Sequence, residues 1–209
     1  MEYFSVWKMD RLITEKYLNY PGGVFIEVGG NDGITQSNTY FLEKYKQWTG
    51  LLVEPIPDAF KKMVINRKNS ICENYCLGND DTKVFQEIWA CNLMSIIPNA
   101  RKNAEDDEAF LKEGERCQKI HRIKMKIPCT TLKSLLVKHN FNKIDFLSLD
   151  VEGVELEILQ GMGINMFKPK YILVEANFYN EVNDFLESNS YKQIDKFCHN
   201  DYLYRNLNL

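Results

Sequence analysis

Short apolar runs that end on an acid or on glycines alternate along the chain with stretches whose apolar positions recur at helical spacing. VFIEV (24–28), LLVE (51–54), IDFLSLD (144–150) and YILVE (171–175) are the clearest runs. Continuous apolar runs of this length fit strands buried on both faces, as in a parallel sheet covered by helices. Between them, residues 37–48 group Tyr40, Phe41, Leu42 and Tyr45 on one side, with Ser37 as candidate N-cap. Residues 131–140 read the same way, and so do Val154, Ile158, Leu159 and Met162 ahead of Gly163. The pattern predicts strands at 24–28, 51–54, near 71–76, 144–149 and 171–175, with two more at 191–197 and 202–207. Strand and helix in this rhythm give an α/β fold, a doubly wound sheet with right-handed crossovers. VFQEI (84–88) is a further short strand, a candidate to pair with RIKMKIP (122–128).

Residues 90–121 break the rhythm. The stretch is polar, charged and weakly helical in pattern, and too long for an ordinary connection between a helix and a strand. It reads as an insertion at one end of the sheet. Ligands of doubly wound folds sit beyond the carboxyl ends of the strands, so the insertion is a candidate substrate lid. The expected organisation is one domain over 1–209, with a longer multidomain parent as the alternative.

Composition narrows the class. With 44% hydrophobic and 26% charged residues, a chain of 209 can build a core without staples. Six cysteines lack paired CxxC spacing, which argues against a zinc site and for reduced thiols in a cytoplasmic protein. No apolar stretch reaches the ~18 residues of a membrane span, and the mixed charges of the N-terminus do not suit a signal peptide. A net charge of −3 and a pI near 5.7 disfavour a nucleic-acid partner.

The densest chemistry lies in FIEVGGNDG, where Glu27 ends a strand that runs into Gly29, Gly30, Asn31, Asp32 and Gly33. Glycines allow a sharp turn and the close approach of a ligand. In LLVEP, Glu54 and Pro55 end the next strand, where an acid accepts both ribose hydroxyls of an adenosine. The G-x-G-x-x-G spacing of dinucleotide sites is absent. Glu27, two residues before the first glycine, would repel a pyrophosphate. It would suit a cationic ligand such as the sulfonium and amino group of S-adenosylmethionine. Further on, Asp150, Glu152 and Glu155 crowd a strand end and a helix start, and Glu175 ends the following strand. Acids favour a helix N-terminus, which accounts for Glu155 and Glu157 but not for Asp150.

In order along the chain, EVGGNDG, LLVEP, TTL, IDFLSLDVEGVELEIL and ILVE resemble the FkbM-type methyltransferase family. The resemblance covers roughly residues 5–176 and includes a leading SVWKMD (5–10) with its Ser and Asp. It departs at Gly30, where the family commonly has alanine, and in the insertion at 90–121. It implies a Rossmann-like class I fold with a mostly parallel seven-stranded sheet, which the antiparallel tail pair would complete. It further implies S-adenosylmethionine as cofactor and a hydroxyl, often of a sugar or glycan, as methyl acceptor. Glu27, Gly29, Gly30, Asn31, Asp32, Gly33, Ser37, Glu54, Pro55, Asp150 and, from CNLMSI, Ser95 are the expected cofactor residues. Asp150, with Glu152, is the first candidate for the base that takes the hydroxyl proton. Alternatively Asp150, Glu152 and Glu175 hold Mg²⁺ or Mn²⁺, which would polarise a sugar diol. His199 is a second candidate base. A non-catalytic cofactor-binding module and a methyltransferase for non-sugar hydroxyls remain alternatives. An NAD oxidoreductase is disfavoured by the glycine spacing. A nucleic-acid methyltransferase is disfavoured by the lack of an N-P-P-[YF] or D-P-P-[YF] tetrapeptide.

Overall fold

The computed structural model describes residues 2–209. Its strands are β1 (Val24–Val28), β2 (Thr49–Val53), β3 (Ile71–Glu73), β4 (Cys76–Gly78), β5 (Phe85–Ala90), β6 (Ile123–Thr131), β7 (Phe146–Leu149), β8 (Tyr171–Glu175), β9 (Tyr191–Lys196) and β10 (Asp201–Asn206). The helices are α1 (Met9–Lys16), α2 (Tyr40–Lys46), α3 (Pro57–Asn66), α4 (Ala104–Gln118), α5 (Leu132–Lys138), α6 (Glu155–Gly161) and α7 (Tyr179–Ser188). Seven strands make the central sheet in the order β3-β2-β1-β7-β8-β10-β9. β10 runs antiparallel to both its neighbours, and the remaining pairings are parallel. Among the described residues no helix is long and apolar enough to cross a membrane.

The apolar runs become central strands because both of their faces are covered. Successive side chains of a strand point to opposite faces. Phe25, Leu52, Phe146 and Leu173 accordingly enter one core with Met9, Ile13 and Trp48. Their neighbours Ile26, Leu51, Val53, Leu147, Ile172 and Val174 enter the other, with Leu135, Ile158 and Leu186. A strand with one wet face would have alternated apolar and polar instead.

The strand expected near 71–76 is two strands. Asn74 Nδ2 donates to the carbonyls of Glu54 and Pro55, and beyond this anchor the chain leaves the main sheet as β4. β4 joins a three-stranded sheet, β4-β6-β5. The expected pairing of 84–88 with 122–128 is the β5–β6 ladder of that sheet, with Phe85 opposite Pro128 and Ala90 opposite Ile123.

The polar insertion is more ordered than its composition suggests. α4 is a 15-residue helix capped by Asn103, whose side chain accepts from the backbone N–H of Glu105 and Asp106. Leu111 of α4, with Cys91, Ile96 and Ala100, packs into the same core as Ile26 and Leu149. Its charges face solvent except for Asp107, which is buried and accepts from the N–H groups of Asn99 and Arg101.

Candidate active site

The carboxyl ends of β1, β2, β7 and β8 open into one cavity of about 520 Å³. Its walls carry Gly29, Gly30 and Asn31, then Glu54 and Pro55, then Asp150, Glu152 and Glu175.

At the glycine turn, the N–H groups of Gly29 and Gly30 both donate to the Val53 carbonyl, at 3.0 and 3.1 Å. This pins the loop to the end of β2. Gly29 has φ +84°, and a Cβ there would stand 1.9 Å from the Asp150 carbonyl oxygen. Only glycine lets this turn and the end of β7 touch at this point. Asp32 and Gly33, expected at the cofactor, lie outside the cavity lining. The Asp32 carboxylate accepts from the N–H of Ile34 and Thr35 and from the Thr35 hydroxyl, closing its own turn. Those bonds hold its pKa below the usual value against the opposing effect of burial.

Glu27 lines the cavity, and both oxygens of its carboxylate are bonded within the protein. It accepts from Ser37 Oγ, the Asn38 N–H and Thr39 Oγ1, and it pairs with Arg67 at 3.2 Å. Arg67 is 1% exposed and also binds Glu43 at 2.8 Å, the Gly33 carbonyl and Thr39. The carboxylate oxygens of Glu27 are thus occupied within the loop, and its expected pull on a cationic ligand would act through space. Glu27 organises the loop from beneath and shares Arg67 with Glu43, one guanidinium for two buried carboxylates. Ser37 does not occupy the N-cap position, because α2 starts at Tyr40 with Thr39 there. Its hydroxyl oxygen nevertheless accepts from the N–H of Thr39 and Tyr40. No signal in the sequence marked Arg67, which follows an unremarkable helix end.

Glu54 follows β2 directly and lines the cavity. It is 6% exposed, and one carboxylate oxygen accepts from the Asn31 N–H and the other from the Ile56 N–H, both at 2.8 Å. Each oxygen retains a lone pair for a ligand hydroxyl. Burial pushes its pKa up to about 7, although the two N–H bonds oppose this. Asn74, also unmarked in the sequence, holds the Glu54–Pro55 backbone. Ser95 lines the cavity, with its hydroxyl donating to the Asn92 carbonyl at 2.6 Å and accepting from the Cys91 N–H at 2.9 Å.

The opposite wall is acidic. Asp150, Glu152 and Glu175 each bring a carboxylate oxygen within 4.8 Å of the other two. Water reaches Asp150 through the cavity, yet protein encloses the group. That enclosure first, and then the neighbouring Glu175, raise its pKa well above the carboxylate range. Burial followed by Glu175 lifts Glu152 to about 7, and the same two causes lift Asp201 to about 6. Arg101 from the insertion pairs with Glu152. No basic side chain pairs with Asp150 or Glu175 among the described residues. Hard, crowded oxygen donors of this kind suit a divalent cation. Glu155 stands apart: it is absent from the lining and accepts from the Gly153 N–H. The β9–β10 turn contributes Cys198, His199 and Asn200 to the cavity, and the start of β10 contributes Asp201.

The family model for the methyltransferase FkbM domain matches residues 27–205. "Methyltransferase 1" of Beauveria bassiana (strain ARSEF 2860) is 26% identical over 155 residues, which are 68% of this chain and 60% of that protein. The chain thus spans less than two thirds of that relative's length. The crystal structure of methyltransferase FkbM from Methylobacillus flagellatus KT aligns with a TM-score of 0.55 at 13% identity, over 88% of this chain and 43% of that one. At that identity the likeness concerns the fold.

Proposed function

Because the chain belongs to the methyltransferase FkbM domain family, we propose that it is an S-adenosylmethionine-dependent O-methyltransferase acting on a hydroxyl of a sugar or glycan. The observation that carries this reading is that one cavity joins Glu54 to the acid pair Asp150–Glu175. Glu54, with one lone pair free on each oxygen, suits a ribose diol. The glycine turn, which a Cβ at Gly29 would fill, suits the close approach of the rest of the cofactor. When bound, S-adenosylmethionine supplies an electrophilic methyl group with a neutral leaving group.

What remains for the protein is to place an oxygen and remove its proton. Asp150 is the residue for the second task. Its raised pKa lets it hold a proton taken from a hydroxyl, and Glu175 beside it can share that proton. Should Mg²⁺ or Mn²⁺ bind, Asp150 and Glu175 would hold it and relieve their mutual repulsion. Glu152 would join them on releasing Arg101, and the ion would lower the pKa of a bound hydroxyl. Other carboxylates in the cavity, Asp201 among them, are acceptors for the further hydroxyls of a sugar.

Product analysis of S-adenosylmethionine reactions with a panel of methyl glycosides tests this reading. Asp150→Asn should lower turnover by about 10²–10⁴-fold while cofactor affinity stays near that of the wild type. EDTA should silence the wild type if the acids work through a metal, and leave it active if Asp150 works as base alone. Full activity of Asp150→Asn would remove Asp150 from the chemistry. Absence of any methylated glycoside would remove the sugar assignment.

A further inference from the structure

The turn ahead of α1 holds a left-handed backbone at two consecutive residues. Trp7 has φ 53° and Lys8 has φ 57°, two consecutive left-handed residues that both carry a Cβ. Bulky residues rarely adopt this region, and such outliers persist only where the surroundings impose them. A buried hydrogen-bonded box does so here. Ser5 Oγ donates to Asp10 Oδ1 at 3.0 Å and accepts from the Asp10 N–H at 2.7 Å, while the Phe4 N–H donates to Asp10 Oδ2 at 2.7 Å. Asp10 is 1% exposed, and Met9 beside it is in the core. The indole that this turn presents is nonetheless 77% exposed. Burial of Trp7 is therefore not what the strained turn achieves.

The same indole lines the cavity that holds Asp150, Glu175 and His199. We propose that Trp7 is the platform on which the ring of the methyl acceptor lies, a specificity-determining residue at the mouth of the site. A flat indole attracts the C–H face of a saturated ring, and carboxylates accept from the hydroxyls at its edge. A wall that offers both fits a polyhydroxylated ring better than an aliphatic chain or an anion. Exposure fits as well, since the acceptor side of the cavity must stay open to solvent until the acceptor arrives. This assignment rests on the sugar reading above.

Acrylamide quenching of tryptophan emission isolates Trp7, because Trp48 is fully buried and Trp89 only half-exposed. In the presence of S-adenosylhomocysteine, methyl glycosides at tens of millimolar, a dose chosen for about millimolar affinity, should shield the wild type from quenching. They should have no effect on Trp7→Phe emission, which lacks that signal. In turnover, Trp7→Ala should raise the KM for the glycoside roughly tenfold or more, with S-adenosylmethionine affinity unchanged and Trp7→Tyr restoring most of the loss. Trp7→Gly, relieved of the left-handed strain, should melt no lower than the wild type and share the KM defect. An unchanged glycoside KM in Trp7→Ala overturns the platform, and so does a loss confined to cofactor affinity. If the wild type methylates no glycoside, the sugar reading fails on its own. The quenching experiment still decides about Trp7: shielding by the glycosides supports the platform, and its absence overturns it.

Discussion

The Glu54 carboxylate is committed on both oxygens to backbone N–H groups and keeps a lone pair on each for the proposed ribose hydroxyls. The N–H groups of Asn31 and Ile56 fix its plane, and burial raises its pKa to about 7. The ionised form is the one that accepts two ribose hydroxyls. Glu54→Ala should weaken S-adenosylmethionine binding by about 1.5–3 kcal/mol, the scale of hydrogen bonds to a charged group. Glu54→Gln should be no milder, because its amide NH₂ must face one of the two backbone N–H donors. Wild-type affinity should also fall as pH drops below about 7, and this component should vanish in Glu54→Ala. Calorimetric titration at pH 6 and 8 with all three proteins checks the set. Equal affinities of wild type and Glu54→Ala would take Glu54 out of the site.

Among the elements, the central strands and the acids at their ends were legible in the sequence because burial on both faces writes itself as an unbroken apolar run. Side-chain anchors write nothing comparable. The break between β3 and β4 depends on the reach of Asn74 to two carbonyls, and the anchoring of Glu27 depends on Arg67 arriving from forty residues along the chain. α4 was under-read because its exposed charges outnumber the few side chains that dock it. That docking has one tight point. Gly153, with φ +118°, lies so close to residue 100 that an added Cβ would sit 2.3 Å from the Ala100 carbonyl oxygen. Next to it Arg101 pairs with Glu152, and the N–H groups of Asn99 and Arg101 donate to the buried Asp107 of α4. Gly153→Ala should thus destabilise the protein by more than about 2 kcal/mol and loosen residues 97–118 first. At Gly22, which is also left-handed but has nothing within 4 Å, alanine should cost only about 1 kcal/mol. Denaturant melts with hydrogen exchange over α4 compare the two. Equal costs, or unchanged protection of α4, would show that the insertion does not lean on the acid loop.

Across the whole molecule, the acids divide into two sets that act on stability in opposite directions. Asp32, Glu73 and Asp195, held by hydrogen bonds or cationic partners, have pKa values below the usual range. Their contribution is present above the unfolded pKa and is lost as pH falls through the folded one, so it matters in acid only. Glu54, Glu152 and Glu155 stand at about 7, Asp201 at about 6, and Asp150 is raised as well. For these the folded protein binds protons more tightly than the unfolded chain. Stability therefore falls as pH rises from the ordinary carboxylate range toward 7 and beyond, at up to ~1.4 kcal/mol per pH unit for each group. The two windows meet at the unfolded carboxylate pKa, so the ligand-free protein should be most stable near about pH 4, above the folded pKa of the first set and before the unfolded counterparts of the second lose their protons. Melting temperature measured from about pH 3 to about pH 8.5 should peak there and decline toward alkali. Asp150→Asn, which removes one member of the crowded wall, should flatten the decline. A melting temperature that is level or rising between pH 6 and 8 would show that the acids of the cavity are stabilised by something other than protons.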